Sequence, residues 1–318
     1  MQVYRTPIAA NLEIALHAHD LPVMSENLPA WTLFTVGLAS LGQRELALTV
    51  LRKGEALESF PQGVLGYLPA LQQFASQGRI VDAGGISGYR SPGPFGFASF
   101  VGLTFLDAPA IPQVPLPDRY LAGVFLKEGE LAMATNCSVR RVLHGLGRAI
   151  RYFPNPWWTD PARESIYRVE DSAESVLAQF DRAHVPEAYA TLEGNHMELA
   201  VPASCAKELS ARMENRRPTA LLTGLERGVS GALVWSPGQD APEAIFDHRT
   251  KPTKLAANFV AFVPEGGSDD DLLFMEDGYV AILSAVALQR LISSLRSQVP
   301  FEIRSPQSGH TLRVTSMQ

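Results

Sequence analysis

The feature that most constrains the fold is an internal echo. Shifted by 149 residues, two segments align without a gap. Phe125-Leu126-Lys127-Glu128-Gly129 lies over Phe274-Met275-Glu276-Asp277-Gly278, and Leu131 and Met133 lie over Val280 and Ile282. Val139, Val142, Leu143 and Leu146 lie over Leu288, Leu291, Ile292 and Leu295, and Arg141 matches Arg290. In each copy the acidic-Gly pair predicts a tight hairpin turn, with glycine allowing positive φ. A short strand and then a helix with one apolar stripe follow. Upstream, Glu45-Leu46-Ala47-Leu48 resembles Glu198-Leu199-Ala200-Val201, and helical patterns follow at residues 61–76 and 203–215. The expected fold is therefore α+β, with two pseudo-repeated halves, each a mixed or mainly antiparallel sheet with helices packed on one face.

Proline-rich stretches punctuate the chain. Pro154-Asn155-Pro156-Trp157-Trp158-Thr159-Asp160-Pro161 offers the best boundary. The expected organisation is an N-terminal arm over residues 1–30, a first half over 31–160 and a second over 161–318. Leu46, Leu48 and Val50 alternate as in a half-buried strand. Pro69 sits inside the helical pattern that Pro61 opens, which predicts a kink or two short helices. Asp171 and Glu174 have capping-box spacing ahead of Val176, Leu177 and Phe180.

Composition narrows the function classes. Hydrophobic residues make up 46% and charged residues 19%, enough apolar material for a core and too little charge for disorder. The net charge of −6 argues against a nucleic-acid partner, whose phosphates it would repel. Cys137 and Cys205 are the only cysteines, too few for a disulfide scaffold or a zinc cluster, and read as thiols in a reducing compartment. The first residues lack the basic-then-apolar order of a signal peptide, and no apolar run approaches the roughly 20 residues of a membrane helix. The expected location is cytoplasmic, without a membrane partner.

No motif forces a catalytic reading: neither a P-loop nor a G-x-S-x-G elbow is present. The Gly/Pro-rich loop at 84–97, with Tyr89, Arg90 and Phe95, lacks the backbone donors a phosphate cradle needs, because its prolines remove them. His17-Ala18-His19-Asp20 is metal-like in spacing but reads first as surface. His144 and His196 have no visible nucleophile beside them. Cys137 precedes a helix, and its repeat equivalent, Val286, gives it a packing role. No metal and no cofactor are expected. Glu265, Asp269, Asp270, Asp271, Glu276 and Asp277 concentrate negative charge. They read either as a solvated loop or as a docking patch that would steer a basic partner. Trp157 and Trp158 read as a buried strap between halves or as interface anchors.

One group of residues resembles a known family. Trp31-Thr32, Thr35, Gly37-Leu38, Gly42-Gln43 and Glu45 resemble the opening of the C-terminal domain of Smad anchor for receptor activation and endofin. Lys254, Ala257, Phe259, Val260, Phe262 and Glu276-Asp277-Gly278 resemble its later signature. The architecture also resembles, more loosely, the suppressor-of-fused group. The resemblance implies a non-catalytic protein-binding domain. In a stand-alone bacterial form it implies an immunity protein that neutralises a cognate secreted toxin by binding it, such as a nuclease of the type VI kind. A general scaffold binding peptides and a hydrolase-type enzyme, using the 84–97 loop or His196, are the alternatives. The partner is expected to be a protein, and a homodimer is compatible with this reading.

Overall fold

The computed structural model describes residues 2–53, 55, 60, 63–88, 99–107, 110–111, 114–116, 119–215, 217–224, 229–247, 253–265, 267 and 269–317. It is a mixed α+β structure with three mixed sheets. The described chain forms two compact units. The first comprises Met1–Thr135 and Pro156–Val169, and the second Asn136–Asn155 and Glu170–Gln318.

In the first unit, β1 (Gln2–Ala9), β2 (Leu12–Val23), β3 (Glu26–Val36), β4 (Glu45–Leu51), β5 (Ile86–Gly88), β6 (Phe100–Leu106) and β7 (Tyr120–Lys127) build one sheet. Its order is β1-β2-β3-β4-β7-β6-β5, antiparallel except for the parallel β4–β7 pair. Residues 2–23, expected as an arm, are two strands of this sheet. The alternation that begins at Leu12, Ile14 and Leu16 runs on through Ala18 and places all four in the core. One helix, α1 (Gly63–Ser76), covers that face with Val64, Tyr67, Leu68 and Leu71. Pro69 lies inside it, and the helix is one element and not the two short ones that the proline allowed. The lost backbone donor of Pro69 is outweighed by the apolar stripe on either side.

The N-terminal group of family-like residues shapes one corner. The buried Glu45 carboxylate accepts from the Thr35 hydroxyl (2.6 Å) and from the backbone N–H of Gly37 (2.9 Å) and Ala39 (3.0 Å). It thereby binds the end of β3 to the start of β4 across the 3-10 turn Leu38–Leu41. The Gln43 amide brackets Val81, accepting from its N–H at 2.8 Å and donating to its C=O at 3.1 Å.

The first unit's C-terminal piece returns past residue 160 for identifiable reasons. Thr159 exchanges backbone hydrogen bonds with Leu51 and Thr49, both 2.9 Å. The fully buried Glu130, on α2 (Glu128–Asn136), accepts from Arg163 and from the Ile166 N–H at 3.2 Å. The division into units therefore does not follow the linear boundary at 160.

The second unit contains α3 (Val139–Ala149), α4 (Asp171–Glu174), β8 (Asp181–Val185), β9 (Tyr189–Glu193), β10 (His196–Pro202), α5 (Ala203–Glu214), β11 (Thr219–Thr223), β12 (Gly231–Val234) and β13 (Glu243–Phe246). It continues with β14 (Leu255–Ala257), β15 (Phe259–Pro264), β16 (Asp271–Met275), β17 (Gly278–Leu283), α6 (Ala285–Ser297), β18 (Phe301–Arg304) and β19 (Thr311–Met317). A seven-stranded sheet runs β13-β12-β14-β9-β10-β19-β18, and a five-stranded sheet runs β16-β17-β15-β11-β8. Both are mixed: β10–β19, β12–β14, β15–β17 and β11–β8 are parallel pairs. One core joins the two sheets to α5 and α6, with Leu199, Leu312, Phe262, Tyr279, Leu209 and Leu291 all buried within it. The capping-box pattern at Asp171 yields only α4 and a 3-10 turn over Val176–Gln179.

The 149-residue echo is matched in part. The β16–β17 hairpin does form, but it turns on Glu276-Asp277, with Glu276 and not Gly278 at positive φ, and Val280 and Ile282 are in β17. Glu128-Gly129, by contrast, opens α2, so Leu131 and Met133 are helical. The two glycines serve different close approaches. A Cβ on Gly129 would lie 1.9 Å from the Tyr167 carbonyl oxygen, and one on Gly278 would lie 2.5 Å from that of Phe259. The helical stripes do form, as α3 and α6, and the strand-then-helix order at 45–76 and 196–214 is present in both places.

Candidate functional site

The second unit is organised by a buried ion-pair cluster. Arg141 on α3 is fully buried. Its guanidinium grips Asp277 through Nε (3.0 Å to Oδ2) and Nη2 (2.6 Å to Oδ1), and Nη2 also reaches Glu276 at 2.6 Å. Nη1 donates to the Ser175 hydroxyl at 2.7 Å, and the guanidinium stacks 5.0 Å from the Trp235 ring centroid. Two adjacent carboxylates hold this arginine charged and push its pKa further up. The neighbouring Arg140 donates to the Thr223 hydroxyl at 2.8 Å and to the Ala257 carbonyl at 3.0 Å. These bonds fix α3, which packs on β12 and β13 at one end of the seven-stranded sheet.

Beyond α3, that sheet's outer face is open along His196, Glu198, Arg313, Glu302 and Arg304, whereas Thr191, Ala200 and Ala256 on the same side are buried. Period two along each strand sends Leu192, Met197, Leu199, Leu312, Val314, Phe301 and Ile303 into the core. The intervening residues face outward, and the register aligns them in two cross-strand rows. Thr191, Glu198, Arg313 and Glu302 form one row; Glu193, His196, Thr311 and Arg304 form the next. Opposite charges stand directly across strands at Glu198–Arg313 and Glu302–Arg313, the arrangement that stabilises neighbouring strands. His196 Nδ1 lies 2.5 Å from the Thr311 hydroxyl. Lys254 joins all of these residues except Arg304 in lining a polar cleft of about 360 Å³. This is a floor of fixed, alternating charge, laid mainly on strands. Such a floor matches a polypeptide surface better than it encloses a small substrate.

The residues singled out in the sequence fall elsewhere. Glu265 and Asp269 are exposed. Asp270 and Asp271 are half-buried and engaged, Asp270 accepting from the Ser284 N–H at 2.8 Å at the start of α6, and Asp271 from the Leu272 N–H at 2.8 Å and from the Ser305 hydroxyl. Glu276 and Asp277 belong to the Arg141 cluster, and Asp277 is fully buried, so it has no surface to present. Trp157 and Trp158 are buried, packed edge-to-face at 5.4 Å, and offer no exposed anchor. Tyr89, Arg90 and Phe95 lie outside the described residues.

His17 and His19 are buried in β2 rather than on the surface. The His17 ring stacks on Phe34, and His19 Nε2 lies 2.8 Å from the Thr32 hydroxyl. Burial lowers both pKa values, and it lowers that of His144 strongly. Among the described residues no group of three His, Cys, Asp or Glu could hold a metal ion, and no helix is long and apolar enough to cross a membrane. Burial also raises the Cys137 thiol pKa, making it a poor thiolate. The sequence around His196 shows its carboxylate neighbours Glu193 and Glu198, but not Arg313, Glu302 and Arg304. Their signal, polar residues alternating with apolar ones in β10, β18 and β19, was present. The register that joins them comes only with the fold.

The fold and this face define a class: an α+β chain whose second unit presents a polar sheet face beside a pinned helix. The chain belongs to the family described as Smad anchor for receptor activation-like, C-terminal, whose sequence pattern matches residues 114–315, more than half of the chain. The match contains Arg141, Glu276, Asp277 and every residue of the open face, while Trp31–Glu45 lies before it. Among solved structures, Drosophila Suppressor of Fused is similar at 13% identity over 96% of this chain and 89% of that one, with a TM-score of 0.40. A chain of the Sufu–Fu complex is similar at 17% identity over 48% of this chain and 75% of that one, with a TM-score of 0.39. No curated protein matches the chain in sequence.

Proposed function

We propose that this chain is a non-catalytic, cytoplasmic protein-binding protein that docks a polypeptide partner on the open face of its seven-stranded sheet. The observation that carries the reading is the pair of cross-strand rows on β9, β10, β19 and β18. Their charges are held in register by the backbone, and all but Arg304 line one cleft. Fixed charges of alternating sign give a partner one orientation and reject others. Family membership agrees with a binding role. The finer form of the reading is an immunity protein that neutralises a cognate secreted toxin; the net charge of −6 suits a basic one.

Co-purification with the product of the adjacent gene tests both levels. A complex that forms with the wild type and is lost in Glu198→Arg supports docking on this face. Protection of cells from that product's toxicity supports the immunity role. A complex indifferent to Glu198→Arg and Arg313→Glu refutes the face, and no complex with the adjacent product refutes the immunity role.

A further inference from the structure

The open face ends at β18, an end strand of the sheet. Its pairing with β19 is antiparallel, running from Phe301↔Val314 to Arg304↔Thr311, and the Ser305 N–H donates to the His310 carbonyl just beyond, at 2.9 Å. Antiparallel ladders alternate, so Phe301 and Ile303 turn their backbone groups toward β19, while Glu302 and Arg304 turn theirs outward. The Glu302 and Arg304 side chains are exposed on the outer face, two residues apart and opposite in charge.

On the inner side of the same edge lies a trough of about 660 Å³. Val286, Gln289, Arg290 and Ser293 of α6 line it together with Val299 and Phe301. Val286, 71% exposed, lies at the start of α6 and Val299, 58% exposed, just past its end, so exposed apolar side chains mark both ends of the trough. Two other end strands of this unit are differently treated. The Leu272 carbonyl of β16 accepts from the Ser308 hydroxyl at 3.3 Å, and the Arg182 carbonyl of β8 accepts from Arg212 at 3.4 Å. Charges on a short end strand commonly discourage pairing. Here they stand above an apolar trough, which such protection does not require.

We infer that β18 is a strand-addition site, taking an extended peptide segment that carries one basic and one acidic residue flanking an apolar one. This rests on the docking reading of the same sheet and names its partner more closely. Backbone hydrogen bonds to Glu302 and Arg304 would extend the sheet by one strand. The partner's basic residue would stand opposite Glu302 and its acidic residue opposite Arg304, continuing both charge rows. Its central apolar side chain would point to the other face, into the trough beside Val286.

The test uses fluorescently labelled short peptides centred on Glu-Val-Lys, Glu-Val-Glu or Lys-Val-Lys, titrated against the full chain by anisotropy. Like-charge peptides clash at one position in either strand direction. Glu-Val-Lys should therefore bind about tenfold tighter than either of the others, a difference of about 1.4 kcal/mol. Glu302→Arg, at an exposed position, should transfer the preference to Glu-Val-Glu. Val286→Asp should weaken the favoured peptide by about tenfold while leaving the far-ultraviolet circular dichroism unchanged. If no peptide binds, or if the preference stays with Glu-Val-Lys in Glu302→Arg, the strand-addition site is wrong. The docking face itself stands or falls separately, on Glu198 and Arg313 in β10 and β19.

Discussion

Removing Arg141 should damage the second unit more than any surface change. The guanidinium is fully buried and bonds Asp277, Glu276 and Ser175, so Arg141→Met leaves a fully buried carboxylate at Asp277 without its counter-charge. Breaking a buried pair by deleting one partner costs about 3–5 kcal/mol. Each 1.4 kcal/mol is a factor of ten, so amides of α3 and β17 that exchange through unfolding of this unit should do so roughly a hundred to a few thousand times faster. Hydrogen exchange read by mass spectrometry is the suitable assay, because a chain of two compact units need not unfold in one step. Neutralising the stranded charge in Arg141→Met with Asp277→Asn should recover about 2 kcal/mol of the loss, the coupling being the double-mutant difference. A single-variant loss below about 1 kcal/mol would refute the buried-cluster reasoning, since that is the range of an exposed pair.

Two further outcomes follow from local geometry and titration. Gly129→Ala should destabilise the first unit by more than about 2 kcal/mol, since its Cβ meets the Tyr167 backbone, whereas Gly66→Ala on α1 meets nothing within 4 Å and should stabilise by about 0.4–1 kcal/mol; thermal melting distinguishes them by sign. Burial holds His17, His19 and His144 below the ordinary imidazole value of about 6.5, so the stability from keeping them neutral is fully present above that pH and is lost as pH falls beneath it. His144→Met should flatten part of the acid limb of melting temperature against pH, and an unaltered slope would contradict the assignment.

Much of the fold was legible because period was legible. Strands at Leu46–Val50 and Leu199–Val201 and the stripes of α3 and α6 follow from spacing alone. The repeat misled at Glu128-Gly129 because glycine answers two needs that look identical in sequence. One is a conformation a turn requires; the other, which both glycines serve here, is a close approach, of the β17 backbone to Phe259 at Gly278 and of the α2 backbone to Tyr167 at Gly129. The acidic cluster misled because formal charge says nothing of burial: Asp277 and Glu276 answer an arginine some 135 residues away. The family-like residues Thr35, Gly37, Gln43 and Glu45 prove to be corner-building groups, which explains their chemistry without a partner. The open face was least legible, since Glu198, Arg313 and Glu302 meet only through a parallel and an antiparallel pairing between distant strands.

The most direct test of the docking face is a hydrogen-exchange footprint of the chain with and without its bound partner, beginning with the product of the adjacent gene. The account predicts slowed exchange confined to residues 191–198, 302–304 and 311–313. A footprint on α1 or on the β1–β3 strands, with those three segments unchanged, would contradict it.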